Sequence, residues 1–167
     1  MAGRTIRPSG FKFAVSSLRA VLSNSPPYFV INEPSKSIQW GNNITNYATW
    51  TIDASNEISV FDVELGRLST DGLQFIARNV PISAPGLPIM LQDVPSGDDY
   101  YLIFLNVTHG VVYSVSQRFS ILSSGNSLSN PSKAPSVKKR NQALATVTVS
   151  GAPNPTAKNI SEIEPQL

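Results

Sequence analysis

The sequence predicts an all-β protein: a single antiparallel β-sandwich over residues 27–122, with flexible extensions before and after it. Three observations carry this. Short runs of branched and aromatic residues alternate with polar ones at a period of two, and turn signals separate them roughly every ten residues. No apolar segment repeats at the helical period. Composition is loop-rich, with 13 Pro and 10 Gly, yet 41% of the residues are hydrophobic, enough for a core.

The organising stretch is Val94–Leu122. The turn cluster Pro95–Asp99 releases a strand at Tyr100–Val107, Thr108-His109-Gly110 turns the chain, and a second strand follows at about Val112–Ile121. The first strand is apolar on both alternating sets, Tyr100/Leu102/Phe104 and Tyr101/Ile103/Leu105, which predicts a central strand covered on each side. Proline, a polar glycine turn and then tyrosine is also how sandwiches build a tyrosine corner, so the Tyr100 hydroxyl is expected to bond backbone within Gln92–Gly97.

Taken in order, residues 1–26 form a basic segment whose modest apolar run, Phe11–Leu22, is broken by Lys12 and Arg19; it reads as a degenerate signal peptide or a basic arm. Pro26-Pro27 marks the boundary. Strands are expected at Tyr28–Ile31, Ser37–Trp40 and Tyr47–Asp53, the last with Ala48, Trp50 and Ile52 on one face and Trp50 in the core. In Ile58–Leu68, Phe61, Val63 and Leu65 alternate with Asp62 and Glu64, which read as solvent-facing. Thr70-Asp71-Gly72 predicts a hairpin turn into Leu73–Val80. The proline-rich 81–88 is a loop or interrupted edge, and Ile89–Gln92 a short strand. From Ser123 the composition turns to Ser, Asn, Pro and Lys, so 123–167 reads as a flexible tail; Ala143–Val149 alone resembles an added edge strand or a Thr-rich stalk.

Charge separates by region. Residues 1–26 carry four bases and no acid. Residues 27–122 carry nine acids against four bases, a net −5, and 123–167 carry five bases against two acids. The predicted domain is therefore acidic despite the overall +2, and an acidic surface repels phosphate backbones, which argues against a nucleic-acid partner. No segment is long and apolar enough to span a membrane. Without cysteine there is no disulfide, thiolate metal site or thiol catalysis.

Catalytic chemistry is thinly represented. Asp62 and Glu64 lie two apart on a strand, the one pairing that resembles a glycosidase carboxylate pair, but polar positions on a solvent face look the same. His109, the sole histidine, sits in a turn, and no nucleophile–base set assembles around it. Asp93, Asp98 and Asp99 lack the spacing of a calcium loop and read as turn formers. No catalytic, cofactor or metal residue is therefore assigned, and no cofactor is expected. Sequons at Asn43, Asn106 and Asn159 are candidate N-glycosylation sites, and Lys138-Lys139-Arg140 is a solvated basic patch or a dibasic processing site.

Several residues in order form a recognisable pattern: Trp40-Gly41 with Trp50-Thr51, Phe61-Asp-Val-Glu-Leu, Arg78-Asn-Val-Pro, Asp93-Val-Pro-x-Gly-x-Asp-Tyr and Tyr113-Ser…Phe119-Ser-Ile. Over about 27–122 this resembles the Ser/Thr-rich, often GPI-anchored fungal surface proteins related to the yeast Kre and Knh proteins of β-1,6-glucan assembly. The resemblance implies one immunoglobulin- or fibronectin-III-like domain, a secreted or cell-wall location, no catalytic residues, and cell-wall polysaccharide (β-glucan) or other wall proteins as partners. Tyr28, Tyr47 and Tyr113 are the candidate glycan-contact aromatics, and a structural spacer or adhesion module without its own ligand is the alternative. Ser161–Leu167 is not the hydrophobic tail a GPI signal needs, so an anchor is not expected for this chain.

Overall fold

The computed structural model of the chain describes residues 28–52, 57–136 and 143–151. The N-terminal basic segment, Lys138–Arg140 and Asn159 lie outside the described residues.

These residues form an all-β sandwich of two sheets. The strands are β1 (Val30–Glu33), β2 (Gln39–Gly41), β3 (Thr45–Thr51), β4 (Val60–Arg67), β5 (Thr70–Pro81), β6 (Leu87–Gln92), β7 (Gly97–Asn106), β8 (Val111–Val115), β9 (Phe119–Leu122) and β10 (Val147–Ser150). One sheet has the order β1-β3-β6-β10; the other runs β2-β9-β7-β4-β5, with β8 also paired to β7. With β10 set aside, β1-β3-β6 facing β9-β7-β4-β5 is the connectivity of immunoglobulin-like sandwiches.

The inner faces follow the period-two pattern. Phe61, Val63 and Leu65 from β4 meet Leu102 and Phe104 from β7, with Phe119 and Ile121 from β9, all buried in one core. Phe61 and Phe104 stack with centroids 4.5 Å apart. Trp50 is only half-buried, standing edge-on to both rings while its indole N–H donates to the Ile82 carbonyl at 2.8 Å. Trp40, which sequence reasoning placed on a minor strand, is the fully buried tryptophan and packs on Phe119 at 4.9 Å.

β7 is apolar on both faces because it serves two clusters. Its second set, Ile103 and Leu105, is buried on the outer side of the sheet with Leu68, Leu73, Val107, Val112 and Val115. The return strand, expected as one piece, is two. The Ser116 hydroxyl accepts from Leu102 N–H at 2.9 Å and donates to the Gln117 carbonyl, so a side chain replaces the ladder and β8 and β9 separate there.

Three further expectations are corrected. The β4–β5 turn falls at Leu68-Ser69, not at 70–72, because Asp99 fixes it: its carbonyl accepts from Leu68 N–H and its carboxylate from Ser69 N–H. Asp62 and Glu64 do not face solvent; both are buried. The sandwich also does not end at Leu122. β10 pairs in parallel with β6 from Val147↔Ile89 to Ser150↔Gln92, and Val149 is buried in the main core. Residues 129–133 run beside the β1, β2 and β3 strands, bonded through Gln39, Ser37, Tyr47 and Glu33. A Thr/Val alternation thus supplies a strand even within a segment of loop-like composition.

Candidate functional site

β4 and β8 begin, and β5 and β7 end, at the same end of the sandwich, where Val60 pairs with Pro81 and Asn106 with Val111. A depression of about 250 Å³ opens there. Its buried floor is Phe61, Asp62 and Leu105, and its exposed side is Val60, Arg78, Asn79, Thr108 and His109, with Asn106 half-buried between.

Asp62 is the anchor of this end. A bulged register in β5 sets Asn79 at φ 53°, outside the ladder, and its N–H donates to one Asp62 oxygen at 2.9 Å. Val107, just past the end of β7, donates its N–H to the other oxygen at 3.1 Å. One carboxylate therefore satisfies two backbone donors that three strand ends leave unpaired. Asn106 works similarly: its side-chain carbonyl accepts from His109 N–H at 3.1 Å, shaping the Thr-His-Gly turn, and its amide donates to the Tyr113 hydroxyl at 3.2 Å.

The aromatic candidates separate. Tyr28 is 55% exposed and its ring meets Tyr113 edge-on at 5.4 Å, while its N–H donates to the Tyr113 carbonyl. Through Asn106, this pair adjoins the depression. Tyr47 lies on β3 in the other sheet and is half-buried, so the three rings do not form a row.

Glu64 is two residues from Asp62 on the same outer face, between Phe75 of β5 and Ile103 of β7. Burial, and secondarily the charge of Asp62, push its carboxyl up to about 7. Among the described residues it accepts no hydrogen bond, so neither member of the pair has the environment of a solvent-face acid.

The remaining candidates are dispersed. Asp99 pairs with Arg67 at 2.8 Å; burial pushes its carboxyl up, but hydrogen bonds from Ser69 and Arg67 outweigh this and hold it below the ordinary value. Asp98 pairs with Arg118, and Asp93 stands exposed at φ 54°. Among the described residues no three His, Cys, Asp or Glu side chains gather where they could hold a metal. Asn43, exposed at φ 61°, lies at the far end with its amide donating to Ser124. Asn106 is half-buried, and its amide donates to the Tyr113 hydroxyl. Among the described residues no helix is long and apolar enough to cross a membrane.

Sequence reasoning missed Arg78, Asn79 and Thr108 as neighbours, since only a bulge and a turn bring them together. The one signal was indirect: Asn106 preceding Thr-His-Gly has the side chain to cap that turn. Comparisons with protein-family models, with curated proteins and with solved structures each return no match.

Proposed function

We propose that this chain is a non-enzymatic module of the fungal surface, secreted or associated with the cell wall, whose sandwich contributes to wall assembly by binding β-glucan or another wall component. The observation that carries the reading is the exposed Tyr28 ring, steadied edge-on by Tyr113 beside a polar depression. A flat exposed ring next to convergent polar groups is what a sugar's C–H face and hydroxyls need. The resemblance in residue pattern supplies the wall context.

The use of Asp62 weighs against glycoside hydrolysis. A retaining pair needs one free carboxylate as nucleophile, and both Asp62 oxygens already accept backbone N–H groups. A spacer or adhesion role without a ligand remains the second reading, favoured by the half-burial of Tyr47 and Tyr113, which leaves a single strongly exposed ring among the three.

Co-sedimentation of the full chain with insoluble β-glucan tests the proposal. Binding should occur and weaken about three- to tenfold in Tyr28→Ala, the loss of one aromatic contact. A chain that stays in the supernatant leaves the spacer reading.

A further inference from the structure

The depression at the Asp62 end has an uneven hydrogen-bonding inventory. Its deeper acceptors are engaged: each Asp62 oxygen takes a backbone N–H, and the Asn106 carbonyl takes that of His109. Its exposed side chains both donate and accept, except the Arg78 guanidinium, which only donates. Among the described residues, the guanidinium of Arg78, the amide of Asn79, the hydroxyl of Thr108 and the imidazole of His109 make no hydrogen bond or ion pair. A neutral sugar entering here would find partners in Asn79, Thr108 and His109 but would leave the Arg78 guanidinium without an anion. A ligand that brings an acceptor-only group matches the site better, and a planar carboxylate matches a guanidinium best, since the two can bond in parallel.

Size narrows the class. A depression of about 250 Å³ is larger than an inorganic anion fills and comparable to one sugar residue. The apolar atoms of Val60 and Leu105 also line the depression, and a pyranose ring has a C–H face to set on them whereas phosphate has none. The buried negative charge of Asp62 opposes an anion, but it lies at the floor with both oxygens engaged, while Arg78 and His109 are at the exposed side.

We propose that this depression is a binding site for an acidic sugar, a hexuronate residue whose carboxylate pairs with Arg78 while its hydroxyls bond Asn79, Thr108 and His109. The site extends the carbohydrate-binding reading, on which it rests only in taking a saccharide, to a ligand that β-glucan does not contain.

The test is titration of the full-length protein with glucuronate, glucose and inorganic phosphate, followed by backbone amide shifts. Glucuronate should shift Asn79, Thr108 and His109 saturably, with glucose and phosphate each at least about tenfold weaker, as expected for a site that uses both the charge and the ring. Arg78→Gln, at an exposed position on β5, should weaken glucuronate about tenfold or more without moving the melting temperature. Should that variant fold poorly, Thr108→Val serves in its place, with a smaller loss expected. Absence of saturable shifts, equal binding of glucose, phosphate binding as tightly as glucuronate, or wild-type affinity in the folded variants would each overturn the proposal. Intact glucan sedimentation without glucuronate shifts removes this inference alone; glucuronate shifts without sedimentation remove the β-glucan reading alone.

Discussion

The Tyr100 hydroxyl donates to the Pro95 carbonyl at 2.6 Å, tying the loop that precedes β7 to the strand it feeds. The ring is fully buried, and the Arg67 guanidinium lies over its face at 5.1 Å while also pairing with Asp99. Burial raises the phenol above its ordinary value, so it remains a donor. This is the tyrosine corner expected from the sequence, with its acceptor inside the expected turn.

Tyr100→Phe keeps the ring and removes the bond. A loss of about 1–2 kcal/mol is expected in chemical denaturation, because the hydrogen bond goes and the Pro95 carbonyl loses its partner. Tyr101→Phe, on the opposite face, should cost less. Equal losses at the two positions would show that the bond contributes little.

Asp62 joins β4, β5 and β7 through two backbone N–H groups. Asp62→Ala orphans both donors and should cost on the order of 2–4 kcal/mol. Asp62→Asn should recover only part, since its amide group presents hydrogens where one N–H already points. Near-full recovery by asparagine in a denaturant midpoint would mean that one bond carries the clamp.

Glu64 makes stability depend on pH. Its folded value of about 7 lies above the ordinary 4.5 of a free glutamate, so the folded state holds the proton more tightly than the unfolded one. Below about 4.5 both states are protonated and the group is neutral in the balance. As pH rises towards 7 the unfolded chain ionises first and stability falls, by on the order of 2–4 kcal/mol in total, and above 7 the loss is constant. This contribution should appear as a melting temperature higher at pH 5 than at pH 8. Glu64→Gln should flatten that window relative to the unsubstituted protein. A variant with the same pH profile as the parent would assign the effect to another group.

The last strand is part of the fold. A chain ending at Leu122 loses the β10 ladder, Val149 in the core and the contact of Gln74 with the Ser150 carbonyl. Several kcal/mol should go with it, and Val149→Ala alone should cost about 1–3 kcal/mol as a buried large-to-small change. An unchanged melting temperature in the shortened chain would show that β10 adds no stability.

Most strands were legible because one buried face imposes a period of two, as in Phe61/Val63/Leu65, and because glycine and proline mark the turns. The same rule misread Asp62 and Glu64, since carboxylates at alternate positions look solvated whether water or an apolar outer cluster faces them. Trp50, not Trp40, was the expected core tryptophan; only the pairing of β2 with β9 sets Trp40 deepest. β10 was obscured by its Ser- and Pro-rich surroundings. The candidate site was least legible of all, because Arg78 and His109 meet only through a bulge in β5 and a turn after β7.

The pairing of Val147 with Ile89 bears on the order in which the protein is built. Synthesis delivers β6 long before the strand that flanks it, so a nascent chain carries Leu87–Gln92 with one row of backbone donors and acceptors open. An open strand edge is a template for any other extended segment, including the same strand of a neighbouring chain. Closure by a partner this distant in sequence also makes a late, slow step. Until β10 arrives, the β6 edge is thus a place in this sheet where a foreign strand could pair.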